Sequence, residues 1–230
     1  MVPSVKEFEA DVSALGISND DHIVVYDTYG ILTSARVWWL FKIFGHDKVS
    51  VLDGGLLRWI EQGHPVTAEE SVFKPTAFKA TTPVSGRVIK YSTVLQYLSN
   101  PSAAPQLVDA RPSTRFQGES LEPRVGIPSG HIPGSLNTPL ISVVDQTTGT
   151  LLPAQQLKEA FETGGVDLQK PIVATCGSGV TACGLVLALD VLATTLFQVR
   201  SQSMYNAPRV MVKRYQRKDQ YVNLYTSREK

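Results

Sequence analysis

The sequence predicts an α/β protein built from two similar halves, and two observations support that fold class. Short β-type apolar runs alternate with helical apolar runs, which is typical of parallel sheets covered by helices on both faces. In addition, Val24–Asp27 and the apolar helix after it parallel Val173–Cys176 and its own helix, as in a duplicated domain. The expected organisation is a domain over 1–65, a linker over 66–87, a second domain over 88–190 and a basic tail over 191–230.

Composition places the chain among ordinary globular proteins. Its 230 residues carry a formal net charge of +1, and 43% of them are hydrophobic, so we expect no nucleic acid partner and no membrane partner. No apolar run reaches transmembrane length, and the first residues show neither a signal peptide nor an Arg-rich transit segment. The cytoplasm is the default expectation, with the mitochondrion left open.

The first half predicts two strand–helix units. A β-type run ends at Asp27, and Thr33 or Ser34 can cap the helix that follows. Glycines close both predicted helices, as is common at helix ends. The predicted strands cover 22–26 and 49–52, and the predicted helices end at Gly45 and Gly63.

The second half predicts the same alternation. A helical face over 94–98 precedes a strand at Leu107 and Val108 that ends at Asp109. The remaining predicted elements are a helix over 153–163, a strand over 172–175 and a helix over 180–192. Between residues 66 and 87 the periodicity gives way to Pro, Thr, Ser and Lys, which favours a surface linker.

Cys176 is the residue on which the chemistry of the chain most plainly depends. It stands between the strand over 172–175 and the following helix, where Gly177 and Gly179 permit a tight turn. Amide groups of the turn and the helix N-terminus are expected to point at the sulfur and to favour a nucleophilic thiolate. The alternative is a small buried apolar cysteine. The other cysteine, Cys183, lies too far along the helix to bridge easily, so both thiols are expected to be free.

Further motifs accompany the cysteine loop Cys176–Thr181. They are Leu107–Arg111, Arg115–Gly118, Glu122–Arg124, Gly130–Gly134, Trp38–Trp39, Phe44–His46 and Val51–Gly55. With these motifs the chain resembles the two-domain rhodanese superfamily from about residue 3 to about residue 189, and within it the mercaptopyruvate sulfurtransferases. The resemblance implies tandem rhodanese-like domains, of which the second is catalytic.

The resemblance also implies a reaction. The Cys176 thiolate would attack the sulfur of 3-mercaptopyruvate, become a persulfide as pyruvate leaves, and pass the sulfur to a thiol or cyanide. The hydroxyls of Ser178 and Thr181 would orient groups or relay protons, or else only cap the helix. Loop residues implied to bind the substrate are Gly177, Gly179 and Val180. The implied partners are a small-molecule sulfur donor and a thiol such as thioredoxin or glutathione, with no cofactor.

Two arginines indicate the class of donor. Arg115 and Arg124 match the positions that hold the α-keto acid carboxylate in mercaptopyruvate sulfurtransferases, a task that suits a planar guanidinium. Taken singly, each would more often be a solvated surface residue. Thiosulfate-preferring relatives carry basic residues in the loop, whereas Gly177 and Ser178 are neutral. Mercaptopyruvate is therefore favoured, with thiosulfate as the alternative.

Two other classes of site are disfavoured. A cysteine-dependent phosphatase needs an arginine six residues after the cysteine, where this chain has Ala182. No metal site is expected, because the histidines show no ligand spacing with one another or with the cysteines. These histidines are His22, His46, His64 and His131, the last of which is interpreted as a turn and packing residue.

The ends of the chain depart from the family pattern. The first domain is expected to begin partway through and to leave an unpaired strand edge. Residues 191–230 carry eight Lys or Arg against Asp219 and Glu229, and are expected to be a poorly ordered extension, or else to bind an acidic surface or nucleic acid. The catalytic sheet would then lack a strand beside the cysteine loop. An inactive relative that at most binds or interferes is therefore the alternative function.

Overall fold

Helices and strands alternate along the chain in the computed structural model, which confirms the predicted α/β class. The chain divides into two compact units, which are described separately below. The first unit comprises 1–85, 147–150 and 206–230, and the second comprises 86–146 and 151–205. The described residues are 2–28, 30–69, 71–83, 86–124, 126–192, 197–200 and 223–227.

The first unit contains a three-stranded sheet. Its helices are α1 (Val5–Ala14), α2 (Ser34–Ile43) and α3 (Gly55–Glu61), and its strands are β1 (His22–Tyr26), β2 (Val49–Val51) and β8 (Asn223–Ser227). The sheet order is β2-β1-β8, with β1 parallel to β2 and antiparallel to β8. This sheet is therefore mixed rather than parallel. The edge of β1 that was expected to be unpaired carries β8, because an open strand edge offers a row of hydrogen-bonding groups to any available segment.

Helix α1 was not among the predicted elements. Ser4 and Glu7 form a capping box, in which each side chain bonds to the backbone of the other residue. Phe8 and Val12 are buried on one face, and the Phe8 ring stacks on Phe44 with centroids 4.3 Å apart. The Ser-x-x-Glu pattern before an apolar periodicity was the available signal.

The segment expected to be a surface linker is mostly exposed but is not detached from the first unit. Over the described residues 66–69 and 71–83 it forms neither helix nor strand, while Phe78 is buried and its ring meets those of Phe8 and Phe41 edge-on. Its backbone N–H donates to the Ser13 hydroxyl at 3.0 Å. The Phe78 ring and hydrogen bonds from the backbone over 76–81 thus attach the segment to the first unit, which periodicity does not detect.

The second unit contains a five-stranded sheet in which every pairing is parallel. Its helices are α4 (Tyr91–Ser99), α5 (Ser113–Gln117), α6 (Ala154–Thr163) and α7 (Thr181–Val191). Its strands are β3 (Val88–Ile89), β4 (Gln106–Asp109), β5 (Leu136–Asn137), β6 (Ile172–Thr175) and β7 (Phe197–Arg200). The order is β3-β7-β6-β4-β5.

The expectation of a missing strand beside the cysteine loop is wrong. Strand β7 pairs with β6, with Ile172 opposite Phe197 and Ala174 opposite Val199. It arises from the start of the segment that was expected to be a disordered tail. Residues 201–222, which contain most of the expected basic tail, lie outside the described residues.

The core of the second unit brings two strand ends together. All four residues of β6 are buried, and β6 pairs with β4 so that Asp109 lies opposite Thr175. Residues 182–189 of α7 are all buried as well. The carboxyl end of β4 therefore lies beside the residue that precedes Cys176. In the described ranges no helix is both long and apolar enough to cross a membrane.

Candidate active site

The cysteine loop is a tight turn between β6 and α7. Cys176 is free and half-buried, and its sulfur accepts a hydrogen bond from the Gly179 N–H at 2.9 Å. Gly179 adopts a left-handed conformation with φ of 79°, which glycine tolerates best. Among the described hydrogen bonds this is the one that reaches the sulfur, so the expected set of several amide donors is reduced to a single donor.

The other loop residues occupy the start of α7. Val180 is the N-cap of this helix, without a side-chain capping bond, and Thr181 is its first residue. The alternative interpretation of the hydroxyls as helix caps therefore gains no support. Ser178 is half-buried, and Gly177 is exposed next to the sulfur. A role of the Ser178 and Thr181 hydroxyls in proton transfer stays a prediction.

Cys176 opens into a pocket of about 240 Å³ within the second unit. Gly177 and Thr175 line it beside the sulfur, and Arg111 and Arg124 contribute positive charge. Further lining groups include Asp109, Glu122 and His131. The pocket thus places the Cys176 sulfur beside cationic side chains, an arrangement that suits an anionic ligand.

A buried ion network forms one side of this pocket. Arg111 donates to Asp109 at 2.6 Å and to Glu122 at 2.9 Å, while Arg115 donates to Glu122 at 2.5 Å. The Arg115 contact is two-pronged, since its Nε reaches Oε1 and its Nη2 reaches Oε2. The two carboxylates are 4% and 5% exposed. Glu122 therefore ties together two arginines in a largely dry environment.

This network shifts two pKa values. The hydrogen bond from Arg115 lowers the pKa of Glu122, and the charges of Arg115 and Arg111 outweigh the opposing effect of burial. Burial opposes ionisation of Arg111, but the hydrogen bonds and charges of Asp109 and Glu122 outweigh it and raise the pKa of this guanidinium above its ordinary value. Both shifts favour the charged forms of Glu122 and Arg111.

The two arginines predicted to bind the donor lie at different places around the cysteine. Arg124 lines the pocket together with Cys176. Arg115 lies against the cysteine loop, since its Nη2 is 3.2 Å from the position that a Cβ on Gly177 would occupy. A larger side chain at Gly177 would press on that guanidinium. The Arg115 guanidinium also forms a bidentate ion pair with Glu122, so any contact with a donor carboxylate would have to coexist with that pair.

Four ionisable residues of the pocket were not predicted as site residues. They are Asp109, Arg111, Glu122 and His131. The available signal was topological, because charged residues after one parallel strand lie beside those after its neighbour. His131 stacks on Phe116 with centroids 3.8 Å apart, and its Nδ1 lies 2.7 Å from the Phe116 carbonyl oxygen. Its predicted packing role fits that stacking, and it lines the pocket as well.

Asp27 occupies the equivalent turn of the first unit. Its Oδ2 accepts hydrogen bonds from the Thr33 N–H, the Thr33 hydroxyl and the Ser34 N–H at 2.6, 2.9 and 2.8 Å. The side chain is buried, and its carboxylate caps the start of α2. The Asp27 carboxylate is thus bonded to the backbone of its own turn. Across the described part of the chain, no group of three or more His, Cys, Asp or Glu is arranged to hold a metal ion.

Comparisons with known proteins converge on one family. The chain is 42% identical over 213 residues to thiosulfate/3-mercaptopyruvate sulfurtransferase 1 of Arabidopsis thaliana, covering 85% of this chain and 56% of that protein. It is 46% identical over 192 residues to thiosulfate sulfurtransferase of Bos taurus, covering 82% and 63% respectively. The chain thus spans less than two thirds of either relative.

A solved structure and a family profile agree with these relatives. SseA from Escherichia coli, described as a 3-mercaptopyruvate sulfotransferase with the rhodanese fold, superposes with a TM-score of 0.74 at 34% identity. That match covers 86% of this chain and 72% of SseA. The profile of the rhodanese-like domain matches residues 1–62 and 93–208. The chain therefore belongs to the rhodanese-like domain family.

Proposed function

We propose that this protein is a sulfurtransferase that carries sulfur on Cys176. The observation that supports this most directly is the Cys176 sulfur, which accepts the Gly179 N–H at 2.9 Å and opens into a pocket lined by Arg111 and Arg124. A donor amide stabilises negative charge on sulfur, both in the thiolate and in the persulfide. The relatives named as sulfurtransferases support the same reaction class.

The proposed reaction has two steps. In the first, the Cys176 thiolate attacks the donor sulfur, an S–S bond forms, and the C–S bond of mercaptopyruvate breaks with its electron pair on carbon. Protonation of that carbon releases pyruvate. In the second step an acceptor thiolate attacks the outer sulfur, the S–S bond breaks, and the Cys176 thiolate returns. No oxidant or reductant is consumed, because the acceptor removes the transferred sulfur.

We propose 3-mercaptopyruvate as the preferred donor. Arg111 and Arg124 line the pocket and Arg115 lies against the cysteine loop, so planar guanidinium groups that suit a single carboxylate lie near the sulfur. Arg124 lines the pocket and would meet that carboxylate directly, with Arg115 supporting it from the loop side. Thiosulfate is the second candidate, because relatives carry that name too.

The acceptor and the compartment belong to the same proposal. A small thiol such as glutathione, a protein thiol such as that of thioredoxin, or cyanide can each attack the outer sulfur of a persulfide. The acceptor reaches the sulfur at the exposed Gly177 side of the loop. One relative is named as mitochondrial, which keeps the mitochondrion beside the cytoplasm as a candidate location.

The test is turnover by the full chain. Purified protein is incubated with mercaptopyruvate and a dithiol, and pyruvate is measured; parallel reactions use thiosulfate with cyanide. We expect pyruvate release that Cys176→Ser abolishes and that Arg58→Ala leaves unchanged, because Arg58 pairs with Glu61 on the exposed surface of the first unit. No release of pyruvate or thiocyanate from folded protein would contradict the proposal and favour an inactive relative. Faster turnover of thiosulfate would overturn the preferred donor alone.

A further inference from the structure

Cys183 is a second thiol near the cysteine loop, and the reaction described above does not use it. Its side chain is fully buried in the first turn of α7. Its sulfur lies 3.1 Å from the Gly179 carbonyl oxygen, to which the thiol donates. A buried thiol is usually a passive apolar group, so a hydrogen bond from this thiol to the cysteine loop calls for an explanation.

Gly179 connects the two cysteines. Its N–H donates to the Cys176 sulfur at 2.9 Å, and its carbonyl accepts the Cys183 thiol at 3.1 Å. The Cys183 N–H donates to the Val180 carbonyl oxygen at 3.0 Å, and the Cys183 thiol donates to the Gly179 carbonyl oxygen. One residue therefore has both of its backbone polar groups bonded to sulfur.

This arrangement matters because Gly179 is glycine. Without a Cβ its backbone explores more conformations than any other residue, and the left-handed φ of 79° is one of several that it can adopt. Two dihedral angles relate the direction of its N–H to that of its C=O. A hydrogen bond that fixes the direction of the Gly179 C=O therefore restricts the direction of its N–H.

We propose that Cys183 is a positioning residue for the reaction: it holds the Gly179 carbonyl so that the Gly179 N–H stays aimed at the Cys176 sulfur. The inference deepens the proposed function, on which it rests for its catalytic consequence. Cys183 itself does not touch the donor, and it needs only its thiol hydrogen. A side chain of similar size with a hydroxyl hydrogen should therefore replace it.

The experiment compares Cys183→Ala with Cys183→Ser in the full chain. The first readout is the rate at which iodoacetamide alkylates Cys176 at neutral pH, with the adduct located by peptide fragmentation. The second is kcat and KM for mercaptopyruvate. We expect Cys183→Ala to slow alkylation and lower kcat by about threefold to tenfold, the usual effect of one lost hydrogen bond, with KM unchanged. Cys183→Ser should stay within about twofold of the unmodified protein.

Val186→Ala is the matched control. Val186 is fully buried on the same helix, three residues further on, so its truncation creates a cavity in α7 without removing the thiol. It should lower the unfolding midpoint without slowing alkylation. Near-ultraviolet circular dichroism checks that each variant is folded.

Three outcomes would overturn the positioning role. These are an unchanged alkylation rate in Cys183→Ala, an equal loss in folded Cys183→Ser, or an equal loss in Val186→Ala. Alkylation needs no sulfur donor, so its outcome is independent of turnover. If the unmodified protein releases no pyruvate but Cys183→Ala still slows alkylation, the proposed function fails while Cys183 retains its role toward the Cys176 sulfur.

Discussion

Asp27 and Cys176 occupy equivalent turns of the two units, and the turns have opposite consequences. The Asp27 carboxylate accepts three hydrogen bonds from Thr33 and Ser34 and is 1% exposed. The Cys176 sulfur accepts one described bond from Gly179 and faces a pocket. We call the Asp27 turn, in which the carboxylate bonds the start of α2, the closed turn. We call the Cys176 turn, in which the thiol faces the pocket, the open turn.

The comparison indicates that a turn with an accessible thiol lacks the stabilising side-chain cap of the closed turn. A carboxylate at the start of α2 satisfies helix donors and interacts favourably with the helix dipole, which stabilises the first unit. Helix α7 begins with no side-chain cap at Val180. Stability that the first turn gains from its own side chain is absent there, and the sulfur remains available to an incoming donor. The buried ion network lies behind the second turn, and Arg124 lines the same pocket.

The largest expected effect comes from moving the cysteine to the closed turn. Asp27→Cys in a Cys176→Ser background should remain inactive, on the order of 10³-fold or more below the unmodified protein, because the side chain at position 27 is 1% exposed and a donor would not reach a thiol there. Pyruvate release from mercaptopyruvate measures this. Recovery of more than a tenth of the original rate would show that the two turns differ only in the residue they carry.

Removing either predicted substrate arginine should have the next largest effect. Arg115→Ala or Arg124→Ala should lower kcat/KM for mercaptopyruvate by the equivalent of about 2–5 kcal/mol of transition-state stabilisation, as when a buried charge loses its partner. Arg58→Ala, on the first unit, is the control. If kcat/KM is unchanged for both site variants, the carboxylate assignment is wrong. A loss in Arg124→Ala alone would restrict that assignment to the arginine that lines the pocket.

The closed turn should matter for stability instead. Asp27→Ala leaves the Thr33 and Ser34 donors without their carboxylate, and should lower the free energy of unfolding of the first unit by about 2–3 kcal/mol. All three tryptophans lie at positions 38, 39 and 59, so their fluorescence in urea reports on this unit. Cys176→Ser should leave the urea midpoint of the tryptophan fluorescence transition unchanged. Equal midpoints for Asp27→Ala and the unmodified protein would contradict the comparison.

Acid should affect the two units in different pH windows, which is the smallest expected effect. Burial lowers the pKa of His46 in the first unit below 6.5, so the unfolded chain takes up the proton first and stability falls as the pH drops below that value. Hydrogen bonding by Arg115 lowers the pKa of Glu122 below 4.5, so the second unit loses this contribution only under more acidic conditions.

Two probes separate these windows. Tryptophan fluorescence follows the first unit, and hydrogen exchange of the β4 and β6 amides follows the second. Glu122→Gln should flatten the acid response of β4 and β6 while leaving the fluorescence response intact. The same acid response in β4 and β6 with and without the Glu122 carboxylate would show that its ion pairs do not contribute to stability.

Much of the framework follows from local sequence patterns. The alternation around β1, β6 and α7 is visible because short β-type apolar runs and a longer helical apolar run are separated by turn residues. Gly179 also indicates the tight turn after Cys176, since that turn needs a residue that accepts a left-handed φ. These features depend on neighbours in sequence, and they could be predicted.

The remainder depends on partners that are distant in sequence. Strand β8 pairs with β1 across some 200 residues, and no local pattern specifies that pairing. Glu122 shows nothing unusual in sequence, yet it bridges Arg111 and Arg115 once the loop after β4 folds back. The contact between Cys183 and Gly179 is a local exception, because it spans only four residues but no sequence pattern shows that the thiol donates to that carbonyl.

The most direct test of the open-turn account is the mass of the chain after exposure to mercaptopyruvate without an acceptor. Fragmentation of the peptide that holds both cysteines shows which one gains sulfur. We expect one added sulfur atom on Cys176 and none on Cys183, followed by its loss when a thiol is added. Folded protein with no added sulfur on Cys176, or with equal addition on the buried Cys183, would contradict the account.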